Sequence, residues 1–376
     1  MIPSPLVGAP GVLAIDLSAL AENWRILSRR AAPAQCAAVI KADAYGIGIE
    51  VAAPTLYAAG CRTFFVAHLS EGRRARAALP QADARIYVLN GLQSAADPMA
   101  DYAAFRLAPV IGSAEELARW VAFAAFSPAP ACALHLDTGM NRLGFASLDD
   151  LRAAVARCGE RQPADLLMSH FVSSERPDDP LNALQMARFE EARAAFPGLA
   201  ASLANSSGIF LPSEPAFDLV RPGYALYGGN PMPGAPNPMR PVVALDVAIQ
   251  QTRCIEAGET CGYNSQWTAW RRTRLATLLA GYADGLPVGA GGVDGRPGAD
   301  VVIAGRRCPL VGRMSMDLCI ADVTDLPEDA ARPGGFARFF GEDIALDEFA
   351  AASGTIGYTV LTSLSGRYAR RIVGGA

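Results

Sequence analysis

Apolar runs of strand length alternate with alanine-rich, helix-like segments through the first 235 residues of this sequence. Repeated strand–helix units with short connections favour right-handed crossovers and a parallel sheet. About eight units in roughly 220 residues approach the usual size of a closed (β/α)8 barrel. An open doubly wound sheet is the alternative, but no G-x-G-x-x-G follows the first predicted strand. The predicted elements include strands at 12–16, 37–40, 63–67, 86–89, 133–136 and 166–168, a helix over 18–30 capped by Ser18, and a helix over 49–59 ending at Gly60.

The pattern changes over residues 228–241, where glycine and proline are too frequent for a regular element. Beyond this segment, short strand-like runs are separated by turns, with one helix predicted near 347–352. We therefore predict an α/β domain over residues 11–235, formed by the barrel, and a mostly-β domain over residues 236–376. A chain of 376 residues fits two domains better than one.

The composition excludes several classes of protein. Of the residues 51% are apolar and 19% are charged, which is typical of a folded globular chain. The net charge is only −4 and both signs are interspersed, so no basic stripe is available for nucleic acid. No apolar run reaches membrane-spanning length, and residues 1–10 lack the basic start of a signal peptide. We expect a cytoplasmic protein with neither a nucleic-acid nor a membrane partner.

Eight cysteines are scattered through the sequence without a C-x-x-C pair. In a chain of this length the pattern indicates free, mostly buried thiols in a reducing compartment. Only three histidines are present, and Cys132 and His135 have no second pair to complete a zinc site. We therefore expect no bound metal.

A lysine ends the predicted strand 37–40, in the stretch Ala38-Val-Ile-Lys41-Ala-Asp-Ala-Tyr45-Gly. Lysine is rarely buried without a partner, and burial lowers its pKa so that the amine can act as a nucleophile or base. The stretch thus suggests a lysine that forms a Schiff base at the mouth of an α/β fold. A lysine that only extends its ammonium to solvent at a strand end is the commoner alternative.

Other strand ends carry polar groups that suit an anionic, phosphorylated cofactor. Hydroxyls and glycines let backbone N–H groups approach a phosphate, and arginines balance its charge. Taken singly these signals are weak, since a lone histidine is more often a core residue and Asn-Ser more often a turn. The predicted strand-end groups are His135 and Asp137, Ser169 and His170, Asn205 and Ser206, and Arg221 with Gly223 and Tyr224.

The same segments, in the same order, resemble the signatures of the alanine racemase family. Members of this family are fold type III pyridoxal-phosphate enzymes. The resemblance covers most of the chain and matches the outline of a barrel followed by a β domain. It is carried by VIKADAYG at 39–46, DTGMNRLGF at 137–145, NSSG at 205–208, RPGYALYGGNP at 221–231, GY at 262–263, GYADG at 281–285 and VGRMSMD at 311–317.

The resemblance implies a role for each matching residue. Lys41 would hold pyridoxal 5'-phosphate covalently, and Arg221 would face its pyridine nitrogen. Arg142 would reach the cofactor's phenolic oxygen and the substrate carboxylate, with Met316 beside that carboxylate. The phosphate would be held by Tyr45, Ser206, Gly223, Tyr224 and Tyr358.

The resemblance further implies an isomerase that interconverts L- and D-alanine with two bases. Lys41 would serve one face of the substrate Cα and Tyr263 the other. An ordinary tyrosine has a pKa of about 10, so Tyr263 needs help, and His170 and Arg221 would supply a relay. In the family this tyrosine comes from the partner subunit, which implies a homodimer with shared active sites. Without the surrounding motifs, Tyr263 would be predicted to be a packing residue of a β domain.

Three positions depart from the family pattern. His135 stands where a lysine, sometimes carbamylated, orients Arg142. Ile47 replaces the usual histidine of the lysine motif, and Val288 replaces an arginine of the substrate corridor, whose acidic position is Glu175. The departures leave substrate entry and selectivity open.

Several alternatives remain at this stage. A racemase of broader or serine specificity would use the same core residues. A decarboxylase of similar outline needs a different lysine motif and a late catalytic cysteine. A non-catalytic pyridoxal-phosphate carrier consists of the barrel alone, whereas about 140 residues follow the linker here. Supply of D-alanine for peptidoglycan and catabolism use the same chemistry and cannot be separated from sequence.

Overall fold

The structure is a computed structural model that describes residues 8–92, 99–159 and 163–374. The chain divides into two compact units. One comprises Leu20–Leu226 and Asn230–Met239, and the other comprises the described residues of Met1–Ala19, Tyr227–Gly229 and Arg240–Ala376. Part of the N-terminal stretch considered for a signal peptide, residues 1–7, lies outside the described residues.

The first strand, β1 (Gly11–Asp16), belongs to the second unit, so the barrel strands begin with β2. A seven-stranded parallel sheet runs in chain order from β3 to β9, and β10 pairs in parallel with β2. Backbone bonds from Asp218 N to Ala201 O and from Val39 N to Pro222 O, 3.0 and 2.9 Å, join β10 to both ends of that sheet. The result is the predicted α/β barrel. Its strands are β2 (Gln35–Cys36), β3 (Ala38–Val39), β4 (Thr63–Val66), β5 (Arg85–Val88), β6 (Leu107–Ile111), β7 (Cys132–His135), β8 (Ala164–Met168), β9 (Ala200–Ser202) and β10 (Leu219–Val220).

The barrel strands are mostly apolar, as expected of strands that are covered on both faces. All five residues of β6 are buried, and Phe65 stacks on Tyr87 inside the barrel with ring centroids 5.0 Å apart. Serine and aspartate side chains cap the helices that follow, as when Ser113 Oγ accepts the N–H of Glu116. The helices of this part of the chain are Leu17–Ala31, Ile49–Ala59, Leu69–Ala78, Met99–Ala104, Ala114–Ala124, Leu148–Cys158 and Pro180–Ala195.

The cap predicted for the first helix is wrong by two residues. Asp16 Oδ1 accepts the N–H of Ala19 at 2.9 Å, and the Ser18 hydroxyl itself donates to that carboxylate. Asp16 is therefore the N-cap, because its oxygen reaches the third amide of the helix while Ser18 already lies within it.

The second unit is built on a mixed eight-stranded sheet. The long strand β11 pairs with both β14 and β18, which closes six strands into a ring, while β1 and β19 extend the sheet. Its helices are Leu346–Ala352 and Gly357–Ser363. Its further strands are β11 (Val243–Ile255), β12 (Thr260–Cys261), β13 (Trp267–Thr268), β14 (Thr273–Leu278), β15 (Asp300–Ile303), β16 (Arg306–Val311), β17 (Cys319–Asp322), β18 (Phe336–Phe340) and β19 (Ala369–Val373).

The state of the cysteines agrees with the sequence pattern. All eight cysteines are unpaired thiols, six of them buried. Over the described ranges, no helix is both long and apolar enough to cross a bilayer, and no cluster of three or more metal-binding side chains occurs.

Candidate active site

Lys41 lies at the carboxyl end of β3 and is followed by an unusual backbone turn. Ala42, Asp43, Ala44 and Tyr45 all have φ between 51 and 55°, the left-handed region. This conformation costs a non-glycine residue roughly 1–2 kcal/mol, so contacts elsewhere must hold it. The turn closes with bonds from Ala44 N to Ile40 O and from Gly46 N to Ala42 O, 3.0 and 2.9 Å.

Side chains of the helix Leu69–Ala78 brace this turn. Glu71 Oε1 accepts the N–H of Ala42 at 2.7 Å, and its Oε2 accepts the N–H of Ala67 at 2.7 Å. Arg74 donates to Asp43 Oδ1 at 2.6 Å and is also paired with Glu50. The turn is thus fixed by charged groups that lie up to 31 residues away in sequence.

Lys41 is the only lysine among 376 residues; the other 32 basic side chains counted with it are arginines. Burial lowers the pKa of its ammonium, and the charge of Arg142 lowers it further, while Glu71 opposes both. The single side-chain amine of this chain is therefore held toward its neutral, nucleophilic form.

Arg221 follows β10 and is 3% exposed. Its guanidinium donates to Ser202 Oγ and to Ser169 O, each at 2.5 Å, and lies 3.5 Å from His170 Nδ1. Among the described residues no carboxylate pairs with it, and burial lowers its pKa to about 9. A buried cation without a counter-ion is costly, so this guanidinium is suited to an acceptor supplied by a ligand.

Two histidines stand beside these cations and are kept neutral. Burial, followed by the charges of Arg221, Lys41 and Arg142, holds the pKa of His170 well below its usual range. Burial and the same two arginines lower the pKa of His135 to about 4, against the opposing charge of Asp137. With both histidines neutral, the fixed positive charge at the barrel mouth is that of Arg142 and Arg221.

Tyr45, Ser206 and Gly223 form a tight backbone cradle. Ser206 Oγ accepts the N–H groups of Gly223 and Ala225 at 3.0 and 3.2 Å, which leaves its own proton for another acceptor. A Cβ on Gly223 would lie 3.0 Å from Tyr45 Cζ and closer still to the hydroxyl oxygen. A larger residue at 223 would therefore have to displace the Tyr45 hydroxyl, which occupies the space. Tyr224, also buried, begins a short helical turn after this cradle.

The loop that carries Arg142 folds back on β7. Asp137 Oδ1 accepts the N–H groups of Gly139 and Met140, both at 2.8 Å, and Phe145 N donates to His135 O at 2.8 Å. Asn141 has φ of 56°, so Arg142 follows a left-handed residue and is exposed. Its guanidinium lies within electrostatic reach of Lys41 and His135.

The sequence did not reveal two of the residues that organise this site. Gln185, fully buried, donates to Thr138 Oγ1 and to His170 O at 3.0 and 2.9 Å and accepts the N–H of Val172. Glu71 binds the turn after Lys41. Both lie on helices, where a polar residue is usually solvent-facing, and both bind segments that are distant in sequence, so no local pattern pointed to them.

Three predicted site residues belong to the second unit. Tyr263 is 66% exposed on the turn between β12 and β13, and Met316 is 53% exposed. The Met316 carbonyl accepts the N–H of Ala283 at 2.9 Å, which ties it to the GYADG segment. Tyr358 is half-buried in the helix Gly357–Ser363.

Comparison with protein-family models accounts for both units. The model described as alanine racemase, N-terminal domain, matches residues 15–231, and the model described as alanine racemase, C-terminal domain, matches residues 242–372. The chain belongs to the alanine racemase family. The resemblance inferred from the motifs is therefore confirmed, as is a barrel followed by a mostly-β domain.

Individual members of the family match over nearly their full length. An alanine racemase of Methylobacterium sp. (strain 4-46) is 55% identical over 363 residues, covering 96% of this chain and 97% of the relative. One from Rhizobium meliloti (strain 1021) is 45% identical over 98% of both. A solved alanine racemase from Bartonella henselae, with covalently bound pyridoxal phosphate, superposes with a TM-score of 0.89 at 35% identity, covering 97% of this chain and all of that one.

Proposed function

We propose that this protein is a pyridoxal-phosphate-dependent alanine racemase that interconverts L- and D-alanine. One observation carries the proposal: the only lysine of the chain is held at the barrel mouth with its pKa lowered, and the buried Arg221 has no carboxylate partner within the described ranges. The full-length similarity to alanine racemases supports the choice of substrate.

The residues present fit this cofactor. Lys41 offers an amine for covalent attachment, and the hydroxyl proton of Ser206, whose oxygen accepts the N–H of Gly223, is left to donate to a phosphate. Arg221 offers a donor to a ring nitrogen in a place where its own charge needs an acceptor. Tyr45 and Tyr224 would complete the phosphate site, with Tyr358 from the second unit as the family resemblance implies.

Bound pyridoxal phosphate supplies an electron sink that acidifies the Cα–H of an amino acid. Arginine only donates and keeps its proton, so Arg221 would leave the ring nitrogen unprotonated and limit that sink. Proton exchange at Cα is then favoured over transamination. Arg142, exposed and close to Lys41, would hold the substrate carboxylate together with Met316.

Racemisation needs one proton-transfer group on each face of Cα. Burial and Arg142 keep the Lys41 amine ready to take or return a proton on one face. Tyr263 would do the same on the other face, from the second subunit of a homodimer, with neutral His170 and Arg221 as its relay. The exposure of Tyr263 on its turn supports a role outside the packing of its own unit. We propose a cytoplasmic location, consistent with eight unpaired thiols.

Cofactor attachment can be tested first. The purified protein should show a visible imine absorbance that borohydride removes, and peptide mass analysis should place the reduced adduct on Lys41. Lys41→Ala should lose both signals. Since Lys41 is the only lysine, an adduct elsewhere on the chain, or no adduct, would refute the cofactor assignment.

Racemisation is tested separately with single L- and D-amino acids and chiral chromatography. Alanine should be converted in both directions, and faster than serine. Tyr263→Phe should retain the cofactor but lose proton exchange on one face, whereas Tyr57→Phe, a surface tyrosine bonded to Asp83, should retain activity. Full activity in Tyr263→Phe would rule out the two-base assignment, and attachment without racemisation would indicate a carrier.

A further inference from the structure

Glu71 lies outside every motif of the sequence, yet it makes the closest side-chain contact to the backbone next to Lys41. Its Oε1 accepts the N–H of Ala42, the peptide group that directly follows Lys41. Because a peptide bond is planar, holding this N–H holds the ψ angle of Lys41 and hence the direction from which its side chain starts.

The other oxygen of the same carboxylate fixes a neighbouring strand end. Glu71 Oε2 accepts the N–H groups of Ala67 and His68, at 2.7 and 3.3 Å, just beyond β4. One carboxylate therefore connects the ends of two adjacent parallel strands, β3 and β4. These bonds place the Glu71 carboxylate at the start of the left-handed turn. They help to stabilise a backbone conformation that is otherwise unfavourable.

Glu71 is also the only acidic group that acts on the charge of Lys41 among the described residues. The other charged or titratable groups that act on Lys41 are Arg142 and the buried His170. Arg142 disfavours the ammonium, and Glu71 favours it. Asp43 and Glu50 are instead committed to Arg74, on the other side of the turn.

We propose that Glu71 is a positioning residue for Lys41, which aims the lysine by holding the Ala42 amide and balances its charge against Arg142. The inference rests on the proposed role of Lys41 in attachment and proton transfer. Loss of the carboxylate has two separable effects: the turn loses an anchor, and the amine loses the one nearby negative charge.

The single lysine makes both effects measurable without an activity assay. In full-length protein freed of cofactor by hydroxylamine, an amine-selective reagent labels only Lys41 and the N-terminal amine, which peptide mass analysis separates. The labelling rate of Lys41, measured against pH, reports its neutral fraction. Because Glu71 raises the pKa of Lys41, Glu71→Gln should move this profile to lower pH and raise the rate below its midpoint roughly threefold or more.

Glu50→Gln is the matched control, since Glu50 bonds to Arg74 beside the same turn but does not act on Lys41. Its labelling profile should match the unmodified protein. Glu71→Gln should also bind pyridoxal phosphate about tenfold more weakly in an absorbance titration, because glutamine has one acceptor oxygen and the N–H groups at one of the two strand ends lose theirs. Glu71→Asp keeps the charge, so its labelling profile should lie closer to the unmodified protein than that of Glu71→Gln.

A purely structural role would weaken cofactor binding while leaving the labelling profile in place, and that result would overturn the proposal. Equal profiles for Glu71→Gln and Glu50→Gln would do the same. Labelling requires no racemisation, so this test can succeed even if alanine proves not to be the substrate.

Discussion

The contact between Gly223 and Tyr45 makes the cradle of the barrel mouth unusually sensitive to one methyl group. In Gly223→Ala the new Cβ would lie 3.0 Å from Tyr45 Cζ and nearer to its oxygen, whereas carbon atoms prefer about 3.5–4.0 Å. Tyr45 is 6% exposed and its backbone is held in the left-handed turn, so the ring cannot retreat freely. Overpacking of this kind costs about 1–3 kcal/mol.

This cost should appear as a lower melting temperature, by roughly 2–12 °C for a unit of this size. Where the ring does yield, the same free energy should weaken pyridoxal-phosphate binding by about 5–150-fold. Differential scanning calorimetry of the cofactor-free protein and an absorbance titration measure the two parts. Removing the hydroxyl in the double variant Gly223→Ala/Tyr45→Phe should recover part of the loss.

Gly198→Ala is the appropriate comparison, because a Cβ there would meet nothing within 4 Å. It should leave both melting temperature and cofactor affinity unchanged. If Gly223→Ala is indistinguishable from Gly198→Ala in both measurements, the hydroxyl of Tyr45 does not occupy the space beside residue 223 and the reasoning fails.

Three further outcomes are expected. Arg76→Met should lower the melting temperature by about 6–12 °C, because its buried guanidinium donates to five backbone carbonyls; a change below about 2 °C would contradict this. His135, whose pKa is lowered to about 4, should show no imidazole titration by NMR between pH 5 and 8, with His135→Asn assigning the signal. Since the unfolded pKa is about 6.5, stability should fall as pH drops from 6.5 toward 4, and less so in that variant. Gly285→Ala should destabilise the protein more than Gly334→Ala: both have positive φ, but only Gly285 faces a backbone carbonyl at clashing distance.

Local pattern predicted many elements closely. The helix predicted over residues 49–59 has those bounds, with Gly60 as its C-cap. This prediction succeeded because apolar spacing and a C-terminal glycine are local signals. The strand predicted at 63–67 likewise forms, as β4. The barrel also predicted that the polar residues after the strands lie on the same face, because parallel strands bring their carboxyl ends together.

Long-range pairing was not readable from the same pattern. The strand predicted at residues 12–16 forms as β1, but it pairs with β11 and β19, more than 200 residues away, and not with a barrel strand. An apolar run indicates that a strand is buried, but it does not indicate which strands pair with it. Those partners depend on packing across the whole chain.

The left-handed turn after Lys41 could not be predicted from the local sequence either. Residues 42–45 contain no glycine, and alanine favours a right-handed helix. The left-handed conformation is imposed by Glu71 and Arg74, which belong to another helix. The roles assigned to Tyr263, Met316 and Tyr358 remain predictions, because they depend on ligands and on a second subunit.

The handedness of that turn has a consequence for chemical synthesis. Four successive L-residues adopt there the backbone angles that D-residues prefer, because the clash between Cβ and carbonyl is reversed in the mirror-image residue. A semisynthetic protein with D-alanine at 42 and 44 should therefore accommodate the turn with less strain than the natural chain. The same D-alanine residues in the neighbouring helix Ile49–Ala59, at 52 and 53, should be strongly destabilising. In this segment, beside the proposed catalytic lysine, tertiary contacts impose a backbone conformation that the L-residues themselves disfavour.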